Sequence, residues 1–163
     1  MHGPGAKEPE KAALMLATLL GAGVSSFVDL TEAGESTRGG DRMKPYDAIL
    51  RDVGAQRGVA VHYRRDPIRD NSITTDDRCD AVLEHIRAEL ALDRAVVLHC
   101  WGCKGRTGTV VRAWLIEEDG LGYPEVIDYL QGLRRGSRKD DQPVPETVEQ
   151  HDVLRRRAQR KAP

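Results

Sequence analysis

One stretch constrains this chain more than any other, Val96-Val97-Leu98-His99-Cys100-Trp101-Gly102-Cys103-Lys104-Gly105-Arg106-Thr107-Gly108-Thr109-Val110. The apolar run Ala95 to Leu98 reads as a buried strand, a Gly-containing turn follows, and Thr107 to Glu118 reads as a helix. Cys100 therefore falls where strand becomes helix. At such a junction the N–H groups of the loop and of the first helical turn lack internal partners, and the helix dipole adds about half a positive charge. A phosphate is stabilised there. The same field acts on the thiol, because helix N-termini and nearby cations lower a cysteine pKa from about 8.5 to roughly 3.5–7.5. Cys100 is thus expected as a thiolate nucleophile. Arg106, six residues on, brings a planar fork that can hold two phosphate oxygens at once. Gly102 and Gly105 are expected to let the loop turn tightly.

The rest of the chain sets bounds. Its 163 residues suit one core and are few for two ordinary domains, so a single domain over 1–163 is expected, with 1–6 flexible and 155–163 frayed. A net charge of -1 gives no overall pull toward nucleic acid or an anionic membrane. No apolar run reaches the length of a membrane span and no basic-then-hydrophobic leader opens the chain, so a cytoplasmic monomer is expected. The cysteines Cys79, Cys100 and Cys103 are an odd number and a thiolate needs reducing surroundings, which argues against a disulfide scaffold. Histidines at 2, 62, 85, 99 and 151 form no zinc-like pattern, and neither metal nor other cofactor is expected.

In chain order, Glu8 to Leu20 has helical period through Ala12, Leu16, Leu19 and Leu20, and Val24 to Leu30 reads as a strand. A polar, Gly-rich loop over 33–42 follows. Pro45 to Gly54 reads as a helix opened by proline, and Gly58 to Tyr63 as the next strand. Two acids, Asp66 and Asp70, flank Pro67 in a polar loop. Thr74 to Leu92 is expected as a helix capped by Thr74 or Thr75, with Val82, Leu83, Ile86 and Leu90 on one face and Cys79 packed within it. Val110, Val111, Trp114 and Leu115 are expected inward on the helix after the loop. Further helices are expected from Tyr123 to Leu133 and from about Pro145 to Arg160, joined by the basic stretch 134–142. Strands alternating with helices predict a three-layer α/β/α domain around a central, mostly parallel sheet of about four to five strands.

His99-Cys100, five residues, then Arg106-Thr107-Gly108 resembles the phosphate-binding loop of the cysteine-dependent protein tyrosine phosphatase superfamily, in its dual-specificity, kinase-associated-phosphatase-like branch. One position departs: Cys103 stands where the family usually has Gly. The resemblance implies a phosphomonoester hydrolase working through a cysteinyl-phosphate. Loop residues Trp101, Gly102, Cys103, Lys104, Gly105 and Arg106 would bind the phosphate, Thr107 would steady the departing thiolate, and His99 would order the loop. Pro67-Ile68-Arg69-Asp70 resembles the family's general-acid loop, which nominates Asp70, with Asp66 as runner-up. Pro145-Glu146-Thr147-Val148-Glu149-Gln150 resembles the family's glutamine-bearing segment, nominating Gln150 beside the hydrolytic water, with Gln142 as the weaker alternative. The relatives usually begin with one more strand before their first helix, which is not visible here.

The expected partner is a protein carrying phosphotyrosine, phosphoserine or phosphothreonine, or a small phosphorylated metabolite. Tyr46 and Trp101 are candidates for pocket walls. Lys104 keeps an inositol phosphate or phosphoinositide substrate in view, since a lysine there occurs in lipid-phosphatase relatives. Two readings from other classes stand beside these. One is a dithiol redox or sulfur-transfer protein using Cys100 and Cys103, and the other is a non-catalytic phosphopeptide-binding module. In a loop whose N–H groups converge on a phosphate, Cys103 is expected to face away from the Cys100 sulfur.

Overall fold

The computed structural model describes residues 3–6, 8–37, 39–73, 75–137 and 140–161. Its chain forms two compact units, 1–68 with 84–103 and 69–83 with 104–163.

The first unit is built on a parallel sheet. After a 3-10 turn at Pro4–Ala6 come α1 (Pro9–Gly21), β1 (Val24–Asp29), α2 (Asp47–Arg57) and β2 (His62–Arg65). The chain then runs through α3 (Asp76–Ala91), whose second half belongs to this unit, to β3 (Ala95–His99). Among the described residues the sheet has three strands in the order β2-β1-β3, all parallel. That is one or two strands fewer than expected. Before α1 the chain spends its residues on a turn containing Pro4, which cannot donate to a ladder. The central strand is buried at Ser26, Phe27, Val28 and Asp29, as a parallel strand covered on both faces must be. Leu16 and Leu20 of α1, Phe27, and Tyr46, Leu50 and Val53 beside or on α2 form the apolar core.

Several boundaries moved for local reasons. Helix α2 continues past Gly54 to Arg57 and ends at Gly58, whose φ of 66° is the left-handed cap that glycine takes without strain. Within the helix Gly54 carries no side chain, and one there would meet Val61 at 2.8 Å, so the helix lies close against the chain leading into β2. That strand starts later than expected, at His62. On α3, Leu90 is 45% exposed while Glu89 is buried and paired with Arg94 at 3.1 Å. An ion pair has taken the inward position that periodicity assigned to leucine.

Of the stretch 1–6, residues 1 and 2 lie outside the described residues, and Gly3 to Gly5 are docked. Gly3, Pro4 and Gly5 are buried, Gly3 N–H donates to the Trp101 carbonyl at 3.1 Å, and Lys44 N–H donates to the Gly5 carbonyl at 2.8 Å. A side chain at Gly3 would lie 2.6 Å from His99 Nδ1 and 2.8 Å from the Cys100 carbonyl oxygen, so only glycine fits.

The second unit is helical. It holds the first half of α3, then α4 (Gly105–Glu118), α5 (Tyr123–Leu133) and α6 (Val148–Lys161). Thr75 Oγ1 accepts the Arg78 N–H at 3.3 Å and caps α3, while Thr74 lies outside the described residues. Cys79 is fully buried in α3 as expected, and burial pushes its thiol up to about 12. Buried Arg157 of α6 ties three segments together, meeting Asp80 at 2.8 Å and Asp76 at 3.4 Å on α3, and Glu117 on α4. Of the stretch 155–163, residues 155–161 are helical within α6, and 162–163 lie outside the described residues. On α4 the fully buried apolar positions are Val110, Ala113 and Ile116, with Val111, Trp114 and Leu115 only half-buried. Arg112 is fully buried too; it donates to the Gly108 carbonyl at 3.2 Å, and burial lowers its pKa to about 10. No helix of the described residues is long and apolar enough to cross a membrane.

Candidate active site

The sequence from Cys100 to Arg106 leaves the first unit after Cys103, and its two ends are built differently. On the strand side, β3 delivers His99 and Cys100 at the carboxyl edge of the sheet, where open α/β sheets bind ligands. Register places Asp29 of β1 between Arg65 of β2 and His99 of β3. The buried Asp29 carboxylate is saturated. Its Oδ1 accepts Thr31 N–H at 2.9 Å and Thr31 Oγ1–H at 2.7 Å, and its Oδ2 accepts Tyr63 O–H at 2.9 Å and Arg65 Nη2–H at 3.3 Å. Burial, with the Asp29 charge second, holds the Tyr63 hydroxyl well above the usual tyrosine range. Asp29 was not singled out from the sequence, where it is merely the acid ending an apolar run.

His99 lies between Tyr46 and the nucleophile's own backbone. Tyr46 Oη is 2.5 Å from His99 Nε2, and His99 Nδ1 is 3.3 Å from the Cys100 carbonyl oxygen. A carbonyl only accepts, so Nδ1 carries the proton and Tyr46 donates to Nε2. Tyr46 is therefore not a pocket wall. It is 2% exposed, stacked edge-on to Tyr63 in the core, and burial raises its hydroxyl pKa strongly.

Cys100 is buried, and Cys103 N–H points at its sulfur, 3.2 Å from Sγ. Such a donor stabilises a thiolate over a thiol. The Cys103 side chain does not face away as expected. Its φ of 53° is left-handed, which swings the side chain back, with Sγ 3.8 Å from the Cys100 carbonyl oxygen. A hydrogen bond with the Cys100 side chain, then burial, pushes the Cys103 thiol far above the cysteine range. None of the three cysteines is in a disulfide. The positive φ falls where the resembling loops carry Gly, whereas Gly102 has no such φ and open space around it.

On the helix side, Lys104 precedes α4, and Arg106 and Thr107 lie in its first turn. The Arg106 side chain is 1% exposed and meets Asp70 Oδ1 through Nη2 at 2.9 Å, while the Asp70 side chain is 47% exposed. Asp66 pairs instead with Arg64, at 2.8 Å. Asp70 is thus a loop acid that meets the clamp arginine. Thr107 Oγ1 is buried with no hydrogen-bond partner among the described residues.

Gln150 is fully buried. Its Oε1 accepts the N–H groups of Glu146 at 2.9 Å and Thr147 at 3.3 Å, and its Nε2 donates to the Ser72 carbonyl at 3.2 Å. Gln142 offers its backbone carbonyl to Arg134 at 3.0 Å. Glu146, which sequence reading passed over, pairs through Oε1 with Lys104 Nζ at 2.5 Å and accepts Gly105 N–H through Oε2 at 3.1 Å. Gly105 is required there, since a side chain would lie 2.8 Å from Gln150 Nε2 and 2.9 Å from Glu146 Oε2. No group of three His, Cys, Asp or Glu side chains suited to a metal ion occurs among the described residues.

Comparison with known proteins gives the same direction. The family model described as "Tc-R-P: Polymorphic toxin system, DSP-PTPase phosphatase" matches residues 4–120. An uncharacterized protein of Methanocaldococcus jannaschii is 35% identical over 66 residues, 40% of this chain and 39% of that protein. The chain thus spans about two-fifths of the length of the curated relatives it matches. Among solved structures, Tk-PTP in its active form superposes with a TM-score of 0.67 at 25% identity, covering 91% of this chain and 86% of that one. PTPMT1 in complex with PI(5)P superposes with a TM-score of 0.69 at 18% identity, covering 91% and 85%. The expected protein tyrosine phosphatase-like α/β fold is the observed one.

Proposed function

The chain belongs to the Tc-R-P family, DSP-PTPase phosphatases of polymorphic toxin systems, and on that premise we propose that it hydrolyses phosphomonoesters through a cysteinyl-phosphate intermediate, without a metal ion. The observation that carries this reading is a buried arginine in the first turn of α4, six residues after a buried cysteine, with the Asp70 carboxylate on its guanidinium. A carboxylate there occupies the fork that a phosphate would take.

The chemistry follows from the parts. Substrate phosphate displaces Asp70 from Arg106, and the Cys100 thiolate attacks phosphorus in line. Arg106 and loop N–H groups stabilise the equatorial oxygens, and Asp70, protonated from solvent once it has left the guanidinium, gives that proton to the leaving oxygen. Asp70 then takes a proton from the water that splits the S–P bond, returning phosphate and thiolate. Thr107, with its hydroxyl unspent, hydrogen-bonds the departing sulfur. His99, locked as the Nδ1–H tautomer by Tyr46, holds the Cys100 carbonyl. Gln150, whose amide is committed to three backbone groups, braces Glu146 over the start of α4 instead of holding the water.

The substrate class proposed is a protein carrying phosphotyrosine, phosphoserine or phosphothreonine. Hydrolysis of inositol phosphates is the second reading, favoured by the presence of Lys104 and by fold likeness to a protein solved with PI(5)P. Pairing of Lys104 with Glu146 weighs against it. Turnover of p-nitrophenyl phosphate in the presence of a chelator, lost in Cys100→Ser, is the result this proposal expects. Equal turnover in Cys100→Ser, or a requirement for added metal, overturns it.

A further inference from the structure

The start of α4 carries two cations, and both are met by acids. Arg106 meets a half-exposed one, Asp70, on a loop. Lys104 meets a held one. Its Nζ is 2.5 Å from Glu146 Oε1, and the pair is largely withdrawn from water, with side chains 13% and 22% exposed. The second Glu146 oxygen accepts Gly105 N–H at 3.1 Å. Glu146 is itself fixed, because its own N–H donates to Gln150 Oε1 at 2.9 Å and Gln150 is anchored to Ser72. A carboxylate placed by this many bonds stays on its lysine in a way that a surface pair does not. Residue 146 also lies outside the stretch matched by the family model, which ends at residue 120.

We propose that Glu146 is a specificity-determining residue. By neutralising Lys104, it removes one positive charge from the start of α4, which suits a single phosphate dianion. It thereby turns the enzyme away from rings bearing several phosphates and toward single phosphomonoesters on weakly charged carriers. The inference rests on the phosphatase reading above. Its physical basis is Coulomb's law across a few ångströms of partly dry protein, where adding a net positive charge favours a polyanion far more than a monoester.

Glu146→Gln is the selective variant, since a glutamine oxygen still accepts Gly105 N–H while the negative charge is gone. Its kcat/KM for myo-inositol hexakisphosphate, divided by that for p-nitrophenyl phosphate, should rise roughly tenfold at low salt and fall back as salt screens the charge. Lys104→Met in the Glu146→Gln background restores charge balance and should return the ratio to near the wild-type value. Lys104→Met alone should push it below. An unchanged ratio in Glu146→Gln, or a rise that the double variant keeps, overturns the proposal. The same comparison is made by calorimetry in the Cys100→Ser background, where hexakisphosphate should bind roughly tenfold tighter when residue 146 is glutamine. Binding that does not tighten also overturns it. A wild type that turns over neither substrate contradicts the phosphatase reading, and the binding experiment still decides the role of Glu146.

Discussion

Two regions of this molecule hold a carboxylate against a cation, and they do so to opposite ends. At the carboxyl edge of the sheet, Asp29 is buried and its two oxygens accept from Thr31, Tyr63 and Arg65. At the start of α4, Asp70 is half-exposed and rests on a guanidinium that is not. A saturated, desolvated acid is scaffold, because removing it strands every donor around it. An acid with one foot in water can be exchanged for another anion. The difference separates what shapes the loop from what the loop does.

Asp70→Asn gives the largest effect. Loss of the proton donor should slow hydrolysis by about 10²–10⁴-fold on substrates with poor leaving groups and much less on good ones. Arg106→Lys, which keeps charge but loses the fork, should cost about 10²–10³-fold on both kinds. Steady-state kinetics across a series of aryl phosphates checks both. An equal Asp70→Asn loss across the series, or a larger loss in Asp66→Asn, would move the acid elsewhere.

Asp29→Ala should instead cost stability. Stranding the buried ends of Thr31, Tyr63 and Arg65 costs about 3 kcal/mol, which lowers Tm by about 6–12 °C for a chain of this size. A melting curve unchanged in Asp29→Ala would dissolve the contrast between the two acids.

Cys103→Gly tests the loop itself. A non-glycine residue at φ 53° carries about 1–2 kcal/mol of strain, so glycine should raise Tm by about 2–8 °C while leaving the Cys103 N–H on the Cys100 sulfur. Lower stability in Cys103→Gly would show that the thiol's contact with Cys100 outweighs the strain.

The smallest effect is on pH dependence. Burial, then nearby positive charge, lowers the pKa of both His85 and His151 in the folded protein. A depressed pKa means the unfolded chain binds the proton first, so stability rises with pH there and is lost as pH falls below about 6.5 through the folded values. Chemical denaturation at pH 7.5 and 5.5 should show that loss. It should shrink in His151→Gln, whose parent ring bonds Tyr123 Oη at 2.8 Å.

Much of this was legible in the sequence, and the gaps have particular causes. Helices α1, α3, α5 and α6 and the strands β1 and β3 announced themselves through apolar period and punctuation. Strand β2 was expected over Gly58 to Tyr63 and lies at His62–Arg65, because Arg64 and Arg65 are half-buried polar residues whose burial comes from neighbours distant in sequence. Cys100 and Arg106 could be nominated because their spacing is local. Glu146 was not, since its meaning comes from Lys104 more than 40 residues earlier, a separation of 41 residues from Gly105. The Cys103 orientation needed a backbone angle that composition does not encode. Tyr46 was a candidate pocket wall until the histidine it serves was in place.

In the proposed mechanism Cys100 takes up the phosphoryl group. Wild-type enzyme mixed with p-nitrophenyl phosphate, quenched in acid during turnover and mapped by peptide mass spectrometry tests it most directly. A phosphorylated peptide containing Cys100, absent from Cys100→Ser, is the predicted result. Turnover with the phosphoryl group on another residue, or sustained turnover by Cys100→Ser, would contradict it.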